Sequence, residues 1–163
     1  MNVNLLHRLA KHGCGDLVAA AEKALAGKKR VLIPLVPDPV LIRFVPKHNK
    51  KCKGFFRPDR ITVYTRGVGR PWRKRIIATL VHEMRHAQQM QILGRRTFYK
   101  HVEPGLQMCT ALEVDANAAE IALRCESPFK GLCQICGRPD IRRIIRGIEK
   151  ICRTHARYMG RIK

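Results

Sequence analysis

The chain has 163 residues, 45% of them hydrophobic, enough for one compact domain with a real core and a small appendage. Thirty-three Lys and Arg against twelve Asp and Glu give +21, so an acidic partner is expected: nucleic acid before an anionic membrane or an acidic assembly. No apolar run reaches bilayer length, the opening MNVNLLHRLAKHGCGD does not read as a signal peptide, and seven cysteines suggest thiols or metal ligands before disulfides; a cytoplasmic setting is expected, or a nuclear one in a eukaryote.

Residues 3–11 predict a short amphipathic turn or helix, with Val3, Leu5, Leu6 and Leu9 on one side. GDLVAAAEKALAGKKR predicts a clearer helix, capped by Asp16 and stopped by Gly27. The period then changes. RVLIPLVPDPVLIRFVP holds two short β-rich runs split by the turn signal Pro37-Asp38-Pro39. KHNKKCKG is a basic loop, and FFRPDRITVYTRG predicts a further strand or hairpin arm ending at Gly67. Such neighbouring strands predict a small, mostly antiparallel sheet. GRPWRKRIIATLVHEMRHAQQMQILG predicts a long helix, with Pro71 at its first position and Gly94 as its stop. Residues 95–103 predict a loop or short helix, and an alanine-rich helix follows from about Leu106 to Arg124. After Ser127-Pro128 comes a basic tail with its own cysteines. The expected class is α+β, with a domain over 1–127 and a C-terminal module over 128–163.

The long helix carries His82-Glu83-x-x-His86. Residues four apart share a helical face, so the two imidazoles can meet one ion. Glu83 lies about 100° round the helix, where it can take a proton from a water on that ion. The competing account is plain: a histidine on an apolar helix is often just a satisfied core residue. A catalytic zinc normally takes three protein ligands and keeps an open position. ALEVDANAAEIAL supplies the third on an alanine-rich surface that lets helices approach closely, and Glu113 is the expected ligand.

RITVYTRG, IIATLVHEMRHAQQ and LEVDANAAE together resemble the small gluzincin-type metallopeptidases, which have a minimal, ImmA/IrrE-like zincin core. The resemblance covers roughly residues 55–124 and implies a short sheet, a histidine helix and a later ligand-bearing helix. It assigns Glu113 as third zinc ligand and Asn117 as the residue that steadies a zinc-bound histidine. The bulky aromatic common in that later motif is absent, with Ala118 and Ala119 in its place. HEMRHA also resembles the Spartan/SprT-like proteases, which act on proteins crosslinked to DNA and whose third ligand would map to His101. The glycine that family places beside its third histidine is missing from YKHVEP. Outside that assignment, His101 and Tyr99 are candidates to stabilise a transition-state oxyanion.

The tail holds Cys133-Gln-Ile-Cys136 and Cys152-Arg-Thr-His155. Two such pairs can close a tetrahedral, structural zinc, with Cys125 as a substitute for one ligand. A helix between them would carry Ile141, Ile144, Ile145, Ile148 and Ile151 largely on one side. Arg142, Arg143 and Arg146 lie opposite the isoleucines; Lys50, Lys51 and Lys53 form a second basic group, and Arg70, Arg73, Lys74 and Arg75 a third. Without compensating acids, these runs suit non-specific contact with a phosphate backbone. The expected function is a two-zinc metallopeptidase that acts on a protein or peptide on or near nucleic acid, with Glu83 as general base. The alternative is a nucleic-acid-binding or assembly protein that keeps the fold and cleaves nothing.

Overall fold

The computed structural model describes Leu5, Arg8, Leu9, His12 and residues 16–49, 52–101 and 111–124. They fall into two compact units, residues 13–98 and residues 1–12 with 99–163. The fold is α+β, with a small mixed sheet and helices.

In the unit of residues 13–98, α1 spans Leu17–Leu25 and follows local rules throughout. The Ala19 N–H donates to Asp16 Oδ1 at 2.9 Å, which satisfies one of the amides a helix start leaves unpaired. Leu17, Ala20, Ala21 and Ala24 form a buried stripe at helical spacing. Gly27, at φ +101°, turns the chain away after the last helical residues. The predicted cap and stop are both in place.

The strands are β1 (Arg30–Val31), β2 (Val40–Val45), β3 (Gly54–Arg57) and β4 (Arg60–Tyr64), in the spatial order β1-β2-β4-β3. β1 and β2 pair antiparallel across the predicted Pro37-Asp38-Pro39 turn, and the stretch read as one further strand or hairpin arm is itself split at Pro58-Asp59 into the antiparallel pair β3–β4. The longest pairing, β2 with β4 from Leu41↔Arg60 to Val45↔Tyr64, is parallel, so the sheet is mixed rather than simply antiparallel. The reason is the slot the hairpin takes. β3 occupies the edge, and the chain returns through Pro58-Asp59 to place β4 between β3 and β2. A parallel neighbour needs a crossover of a dozen residues or so, and the basic loop plus β3 supplies it.

β1 is short because the chain turns at once: the Val36 N–H donates to the Ile33 carbonyl at 3.0 Å, and Leu35 sits at φ +69°. A positive φ at the third residue of a turn is normally glycine's place. The buried Gln88 amide donates to the Pro34 carbonyl at 2.8 Å, and Arg85 Nη1 donates to Gln88 Oε1 at 2.9 Å. Gln88 of the next helix thus ties down this turn, and Arg85 braces Gln88.

That helix, α2, spans Trp72–Leu93 and packs on β3, β4 and α1. Pro71 precedes its first residue by one position, with the Pro71 carbonyl accepting from the Arg75 N–H at 3.2 Å. From Ala78 to Gln89 every residue but His82 is buried, the pattern of a core helix rather than a surface one. Leu80, Val81 and Met84 of α2 and Ile61 and Val63 of β4 lose nearly all contact with solvent. Each such burial is worth about 1.5–3 kcal/mol. Gly94, at φ +80°, ends α2, and α3 (Arg95–His101) starts immediately.

In the other unit, Leu5 and Leu9 are buried, four residues apart. α4 spans Ala111–Arg124, within the predicted helix, and buries Leu112, Ala116 and Ala119. Among the described residues no helix is long and apolar enough to cross a membrane.

Candidate metal centre

Six of the seven buried polar or charged side chains described lie on α2: Thr79, Glu83, Arg85, His86, Gln88 and Gln89. Burying a polar group costs free energy unless it is partnered, so each needs a reason. Arg85 and Gln88 have theirs in the Ile33–Val36 turn. Thr79 donates its hydroxyl to the Arg75 carbonyl at 3.1 Å, a bond within the helix.

His82 and His86 stand apart from these. Their Nε2 atoms face each other at 3.1 Å, with the rings nearly perpendicular at 81°. Two nitrogens each about 2.0–2.1 Å from a tetrahedral ion would stand about 3.3 Å apart, so this spacing fits a metal bite. The tautomer of His86 fits as well. Gln89 Oε1 lies 2.8 Å from His86 Nδ1, and the tautomer in which Nδ1 donates to it leaves the Nε2 lone pair for a ligand. Phe98 meets the His86 ring at 6.2 Å and 73°, and Phe56 of β3 meets Phe98 edge-on at 5.9 Å. The ring of His86 is therefore oriented by a hydrogen bond and an aromatic contact together.

Glu83 is buried, and its surroundings are shaped by a glycine. A Cβ on Gly54 would stand 3.1 Å from Glu83 Oε1 and 2.9 Å from Thr79 Cγ2. Only glycine at the start of β3 lets that edge strand lie so close to the carboxylate. Cys52, two residues earlier, is half-buried and accepts from Asn49 Nδ2 at 3.3 Å. Burial first, and then the Glu83 charge, push its thiol up from the ordinary range.

Within the unit of residues 13–98, His82 and His86 could supply two ligands of a metal ion; Glu113, the expected third, belongs to the other unit. Two imidazoles and a carboxylate suit zinc. His101 is half-buried at the end of α3, and Tyr99 is 45% exposed. Asn117 is half-buried on α4, one helical turn after Glu113.

The other predicted positions divide simply. Lys53, Arg70, Arg73, Lys74 and Arg75 are exposed. Lys50, Lys51, Arg142, Arg143 and Arg146 lie outside the described residues, as do Cys125 and the expected structural-zinc ligands Cys133, Cys136, Cys152 and His155. Sequence reasoning passed over Gln89, Phe98 and Gly54. Gln89 had a signal, since three residues after a ligand histidine is a helical neighbour; the other two depend on contacts between elements.

No family model, curated protein or solved structure matches the chain. The fold and this cluster define an α+β protein with a candidate metal centre on its core helix, and any narrower class is a matter of proposal.

Proposed function

We propose that the protein is a zinc-dependent metallopeptidase with a zincin-like core that works on or near nucleic acid. The observation that carries this is the facing pair of Nε2 atoms 3.1 Å apart, with Gln89 Oε1 2.8 Å from His86 Nδ1 and so placed to accept from it. His82 and His86 would hold the ion with Glu113 as third ligand, the assignment the sequence motifs support. The ion would supply Lewis acidity toward a water and the scissile carbonyl.

The chain's own groups do the rest. Glu83 accepts a proton from the attacking water and delivers it to the leaving amine nitrogen, a role that benefits from a buried carboxylate with little competing water. Gln89 orients His86 through Nδ1. β3 is the edge strand, paired only with β4 among the described strands, and its first residue touches the Glu83 side chain. An extended peptide added to that edge would run past the proposed base.

The charge supports the nucleic-acid part. α2 begins with Arg73, Lys74 and Arg75, no acidic residue and no side-chain cap. Cations there oppose the positive end of the helix dipole, at about 0.3–1 kcal/mol each, a cost that an anionic partner would reverse. The tail's cysteines and His155 would complete a second, structural zinc. The alternative, a binding or assembly protein without catalysis, is favoured by the same +21 and by the structural use of Arg85 and Gln88 beside the histidines.

Glu83→Gln separates the two. In a peptidase, cleavage of a casein or proteome-derived peptide mixture falls about 10²- to 10⁴-fold while zinc stays bound. An unchanged protein, with no cleavage by wild type under any zinc loading, would leave the binding reading. Nucleic-acid contact is checked by salt: for six phosphates, log affinity for duplex DNA should fall with a slope of about −5 against log salt. A slope near that of one contact would remove nucleic acid as the partner.

A further inference from the structure

Beside the start of α2 lies a cleft whose wall, among the described residues, carries three cationic side chains, Lys53, Arg66 and Arg75, and no Asp or Glu. All three are exposed, so their charged heads are available to a ligand. Its floor is the segment Gly67-Val68-Gly69. A Cβ at Gly69 would lie 3.2 Å from Arg75 Nη1, so the missing side chain leaves room for the guanidinium to lie against the backbone there. At Gly67, with φ +81°, any side chain would collide with His48, another residue of the wall. The two glycines thus leave room along the cleft for the Arg75 guanidinium and the His48 ring.

Thr79 and Cys52 also line the cleft. The single point beside Gly54 that lies 2.9 Å from Thr79 Cγ2 lies 3.1 Å from Glu83 Oε1, so Thr79 brings the cleft wall near the proposed base.

We infer that this cleft is the subsite for an acidic side chain, Asp or Glu, of the peptide substrate; the inference rests on the peptidase reading above. The charges choose this ligand over a nucleic-acid strand. A strand laid through the cleft would press successive phosphates toward the Glu83 carboxylate, like charge against like. A peptide sends one carboxylate into the cations while its neutral backbone passes Glu83. Arg66 and Arg75 can each meet that carboxylate with a planar fork, and Lys53 adds a point charge. The position follows from helix and strand geometry. Arg75 precedes Glu83 by two turns, about 12 Å of axis, and an extended peptide advances about 3.3 Å per residue, which puts the acidic residue roughly two to four positions from the scissile bond. On this account Lys53 and Arg75 leave the set of phosphate contacts.

The test uses the full-length, zinc-loaded protein and matched fluorogenic peptides carrying Asp or Asn at those positions. Wild type should favour the Asp peptide in kcat/KM by about tenfold, the weight of a charge-assisted hydrogen bond at an exposed site. Arg66→Glu with Arg75→Glu should bring the ratio to about one or invert it. Zinc content should stay at the wild-type value and the thermal melt should not fall, since both positions are exposed and an anion suits the first turn of α2. The same peptides, binding to Glu83→Gln in fluorescence anisotropy, should show the same preference and the same loss of it on charge reversal. A wild-type ratio near one, or a ratio that charge reversal leaves unmoved, overturns the subsite. So does competition by a DNA oligonucleotide that depends on Arg66 and Arg75 while Asp and Asn peptides behave alike. If no peptide is cut yet Asp-selective binding depends on both arginines, the peptidase reading fails and the carboxylate site stands.

Discussion

α1 and α2 lie in the same unit and are built on opposite terms. α1 has a side-chain cap, a single stripe of leucine and alanine, and a glycine after its end. Nothing in it needs explaining beyond the sheet and helix it covers. α2 has no side-chain cap, opens on three cations against its own dipole, and buries a glutamate, an arginine, a histidine and two glutamines. A helix keeps such violations of local preference only where the rest of the structure uses them. Some of those uses are visible: Gln88, braced by Arg85, ties down a turn, and Gln89 orients His86. The remaining buried carboxylate, Glu83, lies against Gly54 of β3 and directly follows His82 in the helix.

Substitutions can break that contrast, beginning with the largest. Arg85→Ala should cost about 3 kcal/mol, since it leaves a void in the core and strips the Gln88 carbonyl of its donor. A drop in urea midpoint of under a quarter of that size would mean Arg85 is not part of the structural set. Gln89→Leu should leave stability within about 1 kcal/mol but weaken zinc binding 10- to 100-fold, because it frees the His86 tautomer. Competition with a chromogenic chelator reads this directly; undiminished affinity would make Gln89 a core residue and nothing more. The smallest pair has opposite signs. Asp16→Ala should destabilise by about 1 kcal/mol through the lost cap of α1. Lys74→Glu should stabilise by about 0.3–1 kcal/mol, since it swaps a cation for an anion at the start of α2. If Lys74→Glu destabilised instead, the claim that this turn is built against local preference would go.

The sequence made the elements of the first unit legible because each carries its own punctuation. Asp16 and Gly27 bracket α1, and Gly94 ends α2, as read from residue type alone. The parallel β2–β4 pairing was not legible, because no residue says which arm of a hairpin will face inward; packing on α2 decides that. Of the site, the spacing of His82, Glu83 and His86 gave the helical face at once. Gly54, Phe98 and the cleft over Gly67 and Gly69 were hidden, since each matters through a neighbour distant in the chain. Arg75 and Lys53 read as members of charge runs, and only the fold shows that they share a cleft wall with Arg66.

The central claim is that His82, His86 and Glu113 hold one ion. Zinc content by elemental analysis, on protein purified without chelator, tests it most directly across wild type, His86→Ala, Glu113→Ala, His101→Ala and Cys133→Ser. The account predicts two zinc ions per wild-type chain, with one lost in His86→Ala and in Glu113→Ala. Cys133→Ser should lose the other, and His101→Ala neither. Folded His86→Ala and Glu113→Ala proteins that kept the full wild-type complement would contradict it, and the paired histidines would then be core residues.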